Sequence, residues 1–426
     1  MKIKTKEATY EQLLAMPRYI HKKPRKQMTL LRKIVQLYTY FDLKRVRFEY
    51  KDINMDKLGK REPCLILMNH SSFWDMKIIG NLFGNRSYHI VATLDGFVGL
   101  NWIMRLIGSI PTRKFITDTA LVKDMVYATK TLKSSVIMYP EAGYSFDGTA
   151  TTLPDTLGKL IKLLGVPVIM VRVFGAFSKE PLYNCLQARK VKISAEVEYV
   201  LSPDEIKTKN ADEIQDIVKQ QFCFDHFKWQ QDNQISIAEE FRADGLNRVL
   251  YKCPHCMTEG QMLGEGIHLT CQACGAQYEL TEFGMLEAVN VASKFTHIPD
   301  WYKWERACVR DELENDMYGL DVPVDIYAMV NSKCIYRIGE GRLVHSKEGF
   351  HLTGCDGKLD YRQKPEASYS LYSDFYWYEI ADVISIGDIQ IQYYCFPKGC
   401  KDIVAKTRLA TEELYKLLKE KMLISL

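Results

Sequence analysis

The stretch from residue 62 to residue 200 alternates apolar runs of strand type with helical patterns, and this alternation constrains the fold more than any other feature of the sequence. The strand-like runs are Cys64–Met68, Tyr88–Thr93, Val136–Tyr139, Val166–Val173 and Val191–Val200. Amphipathic helical patterns lie between them, and one of these ends at Gly165, a residue suited to a helix C-terminus. Strands that alternate with helices usually pair in parallel, so the pattern predicts an α/β domain with a mostly parallel sheet.

The chain has 426 residues, which is more than one hydrophobic core usually serves, so we expect several domains. We predict an α/β domain over residues 1–235 that includes a basic amphipathic N-terminal helix. A cysteine module over 251–280 and a helical connector over 281–318 follow. Short β-rich runs and a final helix then predict a β-rich domain over 319–426, whose order of elements resembles a pleckstrin-homology-like barrel.

Polar residues follow the first predicted strand, where ligands bind in parallel α/β domains. His70 stands at this strand end, and Asp75 lies five residues later. If His70 occupies the turn and Asp75 the first helical turn, the carboxylate can hold one ring nitrogen and make the other a general base. Two other interpretations stay open. Ser72 and Asp75 also fit a helix capping box, and His70 could be an ordinary hydrogen-bonded histidine at a strand end.

Three further blocks follow in order, namely Gly108-Ser-Ile-Pro-Thr-Arg113, Tyr139-Pro-Glu-Ala-Gly143 and Val166-Pro-Val168. Together with His70-x4-Asp75, over about residues 28–200, the ordered set resembles the glycerolipid acyltransferase superfamily, whose best-known members are 1-acylglycerol-3-phosphate acyltransferases. The resemblance implies a parallel α/β fold. It also implies transfer of a fatty acyl group from a thioester donor to a hydroxyl of a lysolipid acceptor, in phospholipid or other membrane lipid synthesis.

The resemblance also implies roles for individual residues. His70 would remove the proton of the acceptor hydroxyl as that hydroxyl attacks the thioester carbonyl, and Asp75 would orient His70. Arg113 would pair with an acceptor phosphate, for which a guanidinium is suited, and Glu141, with Gly143 in the same block, would bind the polar head of the acceptor. A surface ion pair for Arg113 and a turn carboxylate for Glu141 are the simpler alternatives.

The third block departs from the family pattern Pro-Glu-Gly-Thr/Ser-Arg. Ala142 stands where glycine is usual, and Tyr144 stands where a second arginine is usual. Loss of that cation weakens the case for a bare phosphomonoester acceptor, although Lys114 or Arg172 could replace it. Acyl-CoA and acyl carrier protein both fit as donors. An alternative function is a catalytically degenerate adaptor that binds lipid or protein through its cysteine module and C-terminal domain.

Four cysteines have the spacing of a metal site. Cys253 and Cys256 form one C-x2-C pair, and Cys271 and Cys274 form a second pair after fourteen residues. Four thiolates at this spacing predict a zinc ribbon with a structural Zn²⁺ and no open coordination position. Residues 251–280 contain one lysine and three glutamates, a charge balance that argues against nucleic-acid binding.

The first 50 residues carry 13 lysines and arginines against four acidic residues, whereas the whole chain has a net charge of only +4. A predicted helix over 27–43 lies within this basic segment and repeats apolar residues at helical spacing: Leu31, Ile34, Val35, Tyr38 and Phe41. Such a helix either lies in an anionic membrane surface or packs on its own domain. The sequence shows no signal peptide pattern and no membrane-spanning apolar run, so we expect a cytoplasmic protein at the cytoplasmic face of a membrane.

Overall fold

The structure is a computed structural model that describes residues 3–116, 118–400 and 402–424, with side chains described up to residue 422. The predicted domain ends at residues 1–2 and 425–426 lie outside the described residues. The first part of the chain contains these helices and strands: β1 Thr5–Glu7, α1 Tyr10–Ala15, α2 Thr29–Arg45, β2 Glu49–Ile53, β3 Leu65–Met68, α3 Trp74–Leu82, β4 Tyr88–Thr93, α4 Asn101–Leu106, β5 Ile110–Thr112, α5 Thr119–Val126, β6 Ser135–Met138, α6 Leu157–Leu164, β7 Val168–Phe174, α7 Ala176–Lys179, β8 Ser194–Leu201, α8 Pro203–Thr208, α9 Ala211–Gln221 and α10 His226–Asp232.

The second part of the chain is richer in strands. Its elements are β9 Met262–Glu265, β10 His268–Cys271, β11 Gln277–Leu280, β12 Leu286–Ala288, α11 Ile298–Glu314, β13 Leu320–Met329, β14 Ile335–Ser346, β15 Gly349–Gly354, β16 Leu359–Gln363, β17 Tyr372–Trp377, β18 Ala381–Gly387, β19 Gln392–Pro397 and α12 Ile403–Ile424.

The α/β sheet has the strand order β2-β8-β7-β3-β6-β4-β5. Its described pairs are parallel except for β7 with β8, so the prediction of a mostly parallel sheet is confirmed. Strand β3 is buried on both faces: Ile66 and Met68 pack in one apolar cluster, and Leu65 and Leu67 pack in the other. A central strand covered on both sides reads as a continuous apolar run, which is why its pattern is visible in the sequence.

The cysteine module is an antiparallel sheet in the order β12-β11-β10-β9. It shares one apolar core with helix α11 and with the C-terminal sheet, since Cys253, Tyr278, Trp301 and Val324 belong to the same cluster of buried side chains. The module is therefore packed into the second half of the chain.

The C-terminal sheet has the order β16-β15-β14-β13-β19-β18-β17, and β1 joins it in parallel with β14. The prediction of a β-rich region that ends in a helix is confirmed, whereas the likeness to a pleckstrin-homology domain stays a prediction. The sequence patterns missed β16 and β18. The apolar and aromatic sequence over 369–380 predicts one strand, but only β17 forms there, because Tyr376, Tyr378 and Glu379 adopt positive φ values that interrupt the pairing and turn the chain.

The C-terminal sheet contacts the α/β domain beside the carboxyl ends of the parallel strands. Phe146 stacks on Phe375 of β17 with ring centroids 4.2 Å apart, and the Tyr372 hydroxyl donates a hydrogen bond to Asp95. No helix within the described ranges has both the length and the hydropathy that a membrane span requires.

Candidate active site and metal centre

The predicted histidine–aspartate pair forms at the carboxyl end of β3. His70 lies in the turn after the strand, and Asp75 lies in the first turn of α3. Nδ1 of His70 is 2.9 Å from Oδ2 of Asp75. A carboxylate beside Nδ1 favours the tautomer that carries its proton there, which leaves the Nε2 lone pair free to act as a base. The His70 side chain is 17% exposed, so the ring can be reached from outside.

Asp75 is fully buried and also closes the start of the helix. The backbone N–H groups of Ser71 and Ser72 donate to its Oδ2 at 3.0 and 3.2 Å. The predicted capping box is incomplete, because the Ser72 hydroxyl accepts the N–H of Trp74 at 3.1 Å and not that of Asp75. One oxygen of Asp75 nevertheless accepts bonds from the turn before the helix and lies against the imidazole. This arrangement holds the carboxylate in a fixed position relative to His70.

Glu141 follows β6, the neighbour of β3, and is completely buried. Its Oε2 accepts the backbone N–H of His70 at 2.9 Å, and its Oε1 accepts the backbone N–H of Thr151 at 2.8 Å. Burial raises the pKa of Glu141 to about 7, while the hydrogen bonds from Thr151 and His70 oppose that rise. The described contacts join Glu141 to the backbone of His70 and of Thr151, and the predicted contact with the acceptor stays a prediction.

Glu141→Gln is expected to lower acyl transfer by about tenfold or more. The amide nitrogen would have to face a backbone N–H, of His70 or of Thr151, and an unpaired buried donor costs about 1–3 kcal/mol. Steady-state rates measured beside thermal unfolding curves would check this result. Wild-type turnover in a well-folded Glu141→Gln protein would show that the carboxylate does not position His70.

Two tyrosines whose place in the site no sequence pattern predicts pack against the imidazole. The ring centroids of Tyr139 and Tyr144 lie 4.5 and 4.1 Å from that of His70. Ala142, between them, has a φ of 53°, a region that favours glycine and explains why glycine is usual at this place. Gly143 is buried and lies against Arg408 of α12, which is 3.4 Å from the position that a Cβ atom would take.

The cations predicted to meet an acceptor phosphate have different surroundings. Arg113 follows β5 and makes no hydrogen bond or ion pair through its guanidinium with the described residues, and burial lowers its pKa. Arg172 forms ion pairs with Glu196 and Glu198 at 3.1 and 2.7 Å, so its charge is already balanced by two carboxylates.

Lys114 has a nearly buried side chain, and its ammonium lies 3.7 Å from Asp374 of the C-terminal sheet. Its ammonium lies 5.9 Å from the ring centre of Tyr144, the tyrosine that stacks on His70.

A second histidine, His226 at the start of α10, contacts Ser71, the residue that follows His70. Its Nε2 is 3.1 Å from the Ser71 hydroxyl, and Asn69 donates to the same hydroxyl oxygen at 3.1 Å. Burial lowers the pKa of His226 to about 4, so the ring is neutral near pH 7 and shares one hydrogen bond with the Ser71 hydroxyl. No local pattern points to His226, because it lies about 150 residues from the block that it contacts.

The four predicted metal ligands are brought together. The sulfur atoms of Cys253, Cys256, Cys271 and Cys274 all lie within 4.8 Å of one another. Sulfurs that belong to different pairs are 3.7 Å apart in two cases, Cys253 with Cys274 and Cys256 with Cys271. Zn–S bonds of about 2.3 Å in a tetrahedron place sulfurs about 3.8 Å apart, so the donor set fits zinc.

The two turns that carry these cysteines have the same geometry. The N–H groups of Met257 and Gly275 donate to the carbonyl oxygens of Cys253 and Cys271, both at 2.9 Å. Met257 and Gly275 have φ values of 63° and 75°. Matching tight turns on two hairpins are what a four-thiolate site requires, since each turn presents two sulfurs to one point.

A family model described as Acyltransferase matches residues 49–173, a range that includes His70, Asp75, Arg113, Glu141 and Gly143. The solved structures that resemble this chain include the crystal structure of the 1-acyl-sn-glycerophosphate (LPA) acyltransferase PlsC from Thermotoga maritima. It is 16% identical, with a TM-score of 0.34 over 45% of this chain and 78% of that chain. Comparison with curated proteins gives no match. By the family match, residues 49–173 are similar to an acyltransferase domain.

Proposed function

We propose that this protein is an O-acyltransferase that moves a fatty acyl group from a thioester to a hydroxyl of a lysolipid such as 1-acylglycerol-3-phosphate. The observation that carries the proposal is the 2.9 Å contact between Nδ1 of His70 and Asp75, within the range that the acyltransferase model matches. Nε2 of His70 takes the proton of the acceptor hydroxyl as the oxygen attacks the thioester carbonyl. The thiolate leaves, and no acyl-enzyme is needed.

We propose that the head group of the acceptor binds near Lys114, whose ammonium lies 5.9 Å from the ring centre of Tyr144, and near Arg113, the preceding residue. Arg113 makes no ion pair among the described residues, and Asp118 and Asp388 only favour its charge from a distance, so it is the cation that an acceptor phosphate would engage. Lys114 already has Asp374 as a neighbour, which makes a zwitterionic head group the second candidate. An intact catalytic pair also favours an enzyme over the adaptor alternative.

Incubation with a radiolabelled acyl donor and a panel of lysolipids tests the proposal. Acyl-CoA and acyl carrier protein thioesters should be supplied in parallel, because both present the same reactive group. We expect a labelled diacyl product with at least one acceptor. Failure of both donors with every lysolipid would reject the function.

Helix α2 supports action at a membrane surface because its apolar face points outward. Leu30, Leu37 and Tyr38 are 60–70% exposed, whereas Arg32 and Thr39 are buried. The Arg32 guanidinium donates to the carbonyl oxygen of Gly84 at 3.1 Å. A helix that buries polar residues and exposes apolar ones is suited to an interface with lipid. We therefore propose that α2 and its basic flanks dock on anionic lipid at the cytoplasmic face of a membrane.

The exposed aromatic ring of Phe73 lies at the start of α3 and near the site. Helix α3, which begins one residue after Phe73, packs against α2, and Phe73 is 5.8 Å from the ring of Tyr144. Apolar contacts therefore lead from the protein surface to His70. We propose that an acyl chain enters along this side.

Leu37→Gln combined with Phe41→Gln is expected to weaken binding to anionic vesicles by about tenfold or more, because each buried apolar side chain contributes about 1.5–3 kcal/mol. Vesicle co-sedimentation measures the change. Met317→Gln combined with Ile389→Gln is the matched control, since both residues are exposed apolar side chains of the C-terminal half. Equal loss in both pairs would show that α2 is not the docking element. Binding should also weaken with added salt if the basic segment contributes.

The thiol cluster completes the proposal with a structural Zn²⁺ held by Cys253, Cys256, Cys271 and Cys274. Four thiolates leave no position for a substrate, so zinc would stabilise the module and take no part in the chemistry. Because the module shares its core with α11, the metal would support the half of the chain that contacts the active site.

A further inference from the structure

Arg408 of the C-terminal helix α12 reaches the loop that follows β6. Its Nη1 donates to the carbonyl oxygen of Tyr144 at 3.0 Å. The guanidinium carbon lies 4.5 Å from the ring centre of Phe146, and the side chain is only 4% exposed. The contact joins residues 264 positions apart, and it falls on the block that departs from the acyltransferase pattern.

The guanidinium of Arg408 is held in place by a buried carboxylate on the same helix. Oε1 of Glu412 is 3.5 Å from Nε of Arg408 and accepts the Ser370 hydroxyl at 2.6 Å. Arg306 of α11 binds the other oxygen at 2.7 Å. Burial opposes ionisation of Glu412, yet Arg306 and Arg408 outweigh it and lower its pKa to about 2. These contacts hold the guanidinium of Arg408 in one position.

Tyr144 connects Arg408 to the proposed base, because its backbone carbonyl binds Arg408 and its ring packs against His70. Its ring stacks on the imidazole of His70 with an interplanar angle of 28°, and the ring of Tyr139 lies 4.5 Å from the imidazole at a tilt of 33°. Asp75 fixes the in-plane orientation of the ring by its bond to Nδ1. Stacking on the faces restricts tilting, so the direction of the Nε2 lone pair depends on where Tyr144 lies.

The geometry points to Arg408 as a positioning residue for catalysis, which sets Tyr144 against His70 from the C-terminal domain. This inference rests on the proposed acyl transfer and extends it, because it makes the C-terminal helix part of the active site. Nη2 of Arg408 is closed to solvent and has no hydrogen-bond partner among the described residues. Arg408 also lines a cavity together with Thr151, Arg306 and Glu412. Its described contact toward His70 is the bond to the Tyr144 carbonyl, so Arg408 acts on His70 through Tyr144.

The test compares Arg408→Met, which removes the donor but keeps the length of the side chain, with Arg408→Lys, which keeps a donor. Lys416→Gln is the matched control, because it removes one charge from the same helix and its ion pair is with Glu413. Two readouts are needed. The first is the ring-current shift of the His70 Cε1 proton by NMR, assigned through loss of the signal in His70→Gln and of the shift in Tyr144→Leu. The second is steady-state kinetics with acyl-CoA and 1-acylglycerol-3-phosphate.

We expect Arg408→Met to lose most of the ring-current shift and to lower kcat by about 10- to 100-fold, with KM for both substrates nearly unchanged, because small misplacements of a base cost this much. Arg408→Lys should fall between Arg408→Met and the wild type, and Lys416→Gln should match the wild type. If Arg408→Met does not fold, the ring-current shift and the kcat of Arg408→Lys decide the test, and both should lie below the wild-type values.

Two results would overturn the inference. An unchanged ring-current shift in a folded Arg408→Met protein would show that Arg408 does not place Tyr144. A raised KM for the lysolipid with an unchanged shift would show direct contact with the substrate. The NMR readout does not depend on turnover, so a wild-type protein without transferase activity would reject the proposed function and still leave the placement of Tyr144 decided.

Discussion

Replacing His70 with alanine is expected to lower acyl transfer by about 10²–10⁴-fold, the contribution of a positioned general base. The acceptor hydroxyl would lose the group that takes its proton at the moment of attack. The fold should survive, because the His70 side chain is partly exposed and its backbone N–H keeps the bond to Glu141. Rates under saturating donor, with thermal unfolding measured on the same protein, check both statements.

The chain offers a matched control for this experiment. His351 and Asp360 on β15 and β16 also form a histidine–aspartate pair, 3.0 Å apart, in the C-terminal sheet. His351→Ala should leave the rate unchanged. If His70→Ala keeps near-normal turnover while His351→Ala behaves as expected, His70 is not the base.

Asp75→Asn tests the same pair but changes the folding stability together with the catalysis. The amide would still lie beside His70, but it would present a nitrogen or a weaker acceptor to Nδ1 and to the helix start. Both catalysis and stability should fall, since Asp75 accepts backbone bonds as well as the imidazole proton. His70→Ala therefore separates chemistry from folding better.

The second large effect is expected at the thiol cluster. Purified protein should contain about one zinc per chain, and Cys271→Ser should contain almost none. The free energy of unfolding should fall by about 4 kcal/mol or more, because loss of a structural metal is among the largest single-site effects. Cys271 is buried in the core that also holds Trp301, so the loss should reach beyond the module. Elemental analysis and denaturant unfolding measure the two quantities.

Cys223→Ser is the control for this variant, because Cys223 is an exposed thiol outside the cluster. It should change neither the zinc content nor the stability. A metal-free preparation of the wild type that unfolds at the same denaturant concentration as a zinc-loaded one would contradict a structural metal.

Several features were predictable because they depend on residues close together in the chain. The strand β3 is buried on both faces and therefore reads as an apolar run, and His70 and Asp75 are separated by one turn and the start of a helix. The cysteine pairs likewise sit on two tight turns. In each case the geometry is set by a few neighbouring backbone torsions, which residue type and spacing largely determine.

The outward direction of the α2 apolar face was not decided by its pattern. Ile34, Tyr38 and Phe41 of the predicted stripe are exposed, whereas Leu31 and Val35 are partly covered. The covered side packs on α3, where a Cβ at Gly80 would lie 3.4 Å from Val35 and Thr39. The helical period gives the two faces, but only the helix that packs against one of them decides which is exposed.

The sequence by itself determined the parallel domain, the histidine–aspartate pair and the four-thiolate module, since each is encoded over a short stretch by backbone geometry and side-chain chemistry. Only the tertiary structure decided that Tyr144 covers His70, that Glu141 binds backbone groups, and that Arg408 arrives from a helix at the far end of the chain. Contacts between distant segments depend on how two folded surfaces meet, and no local period or spacing records that.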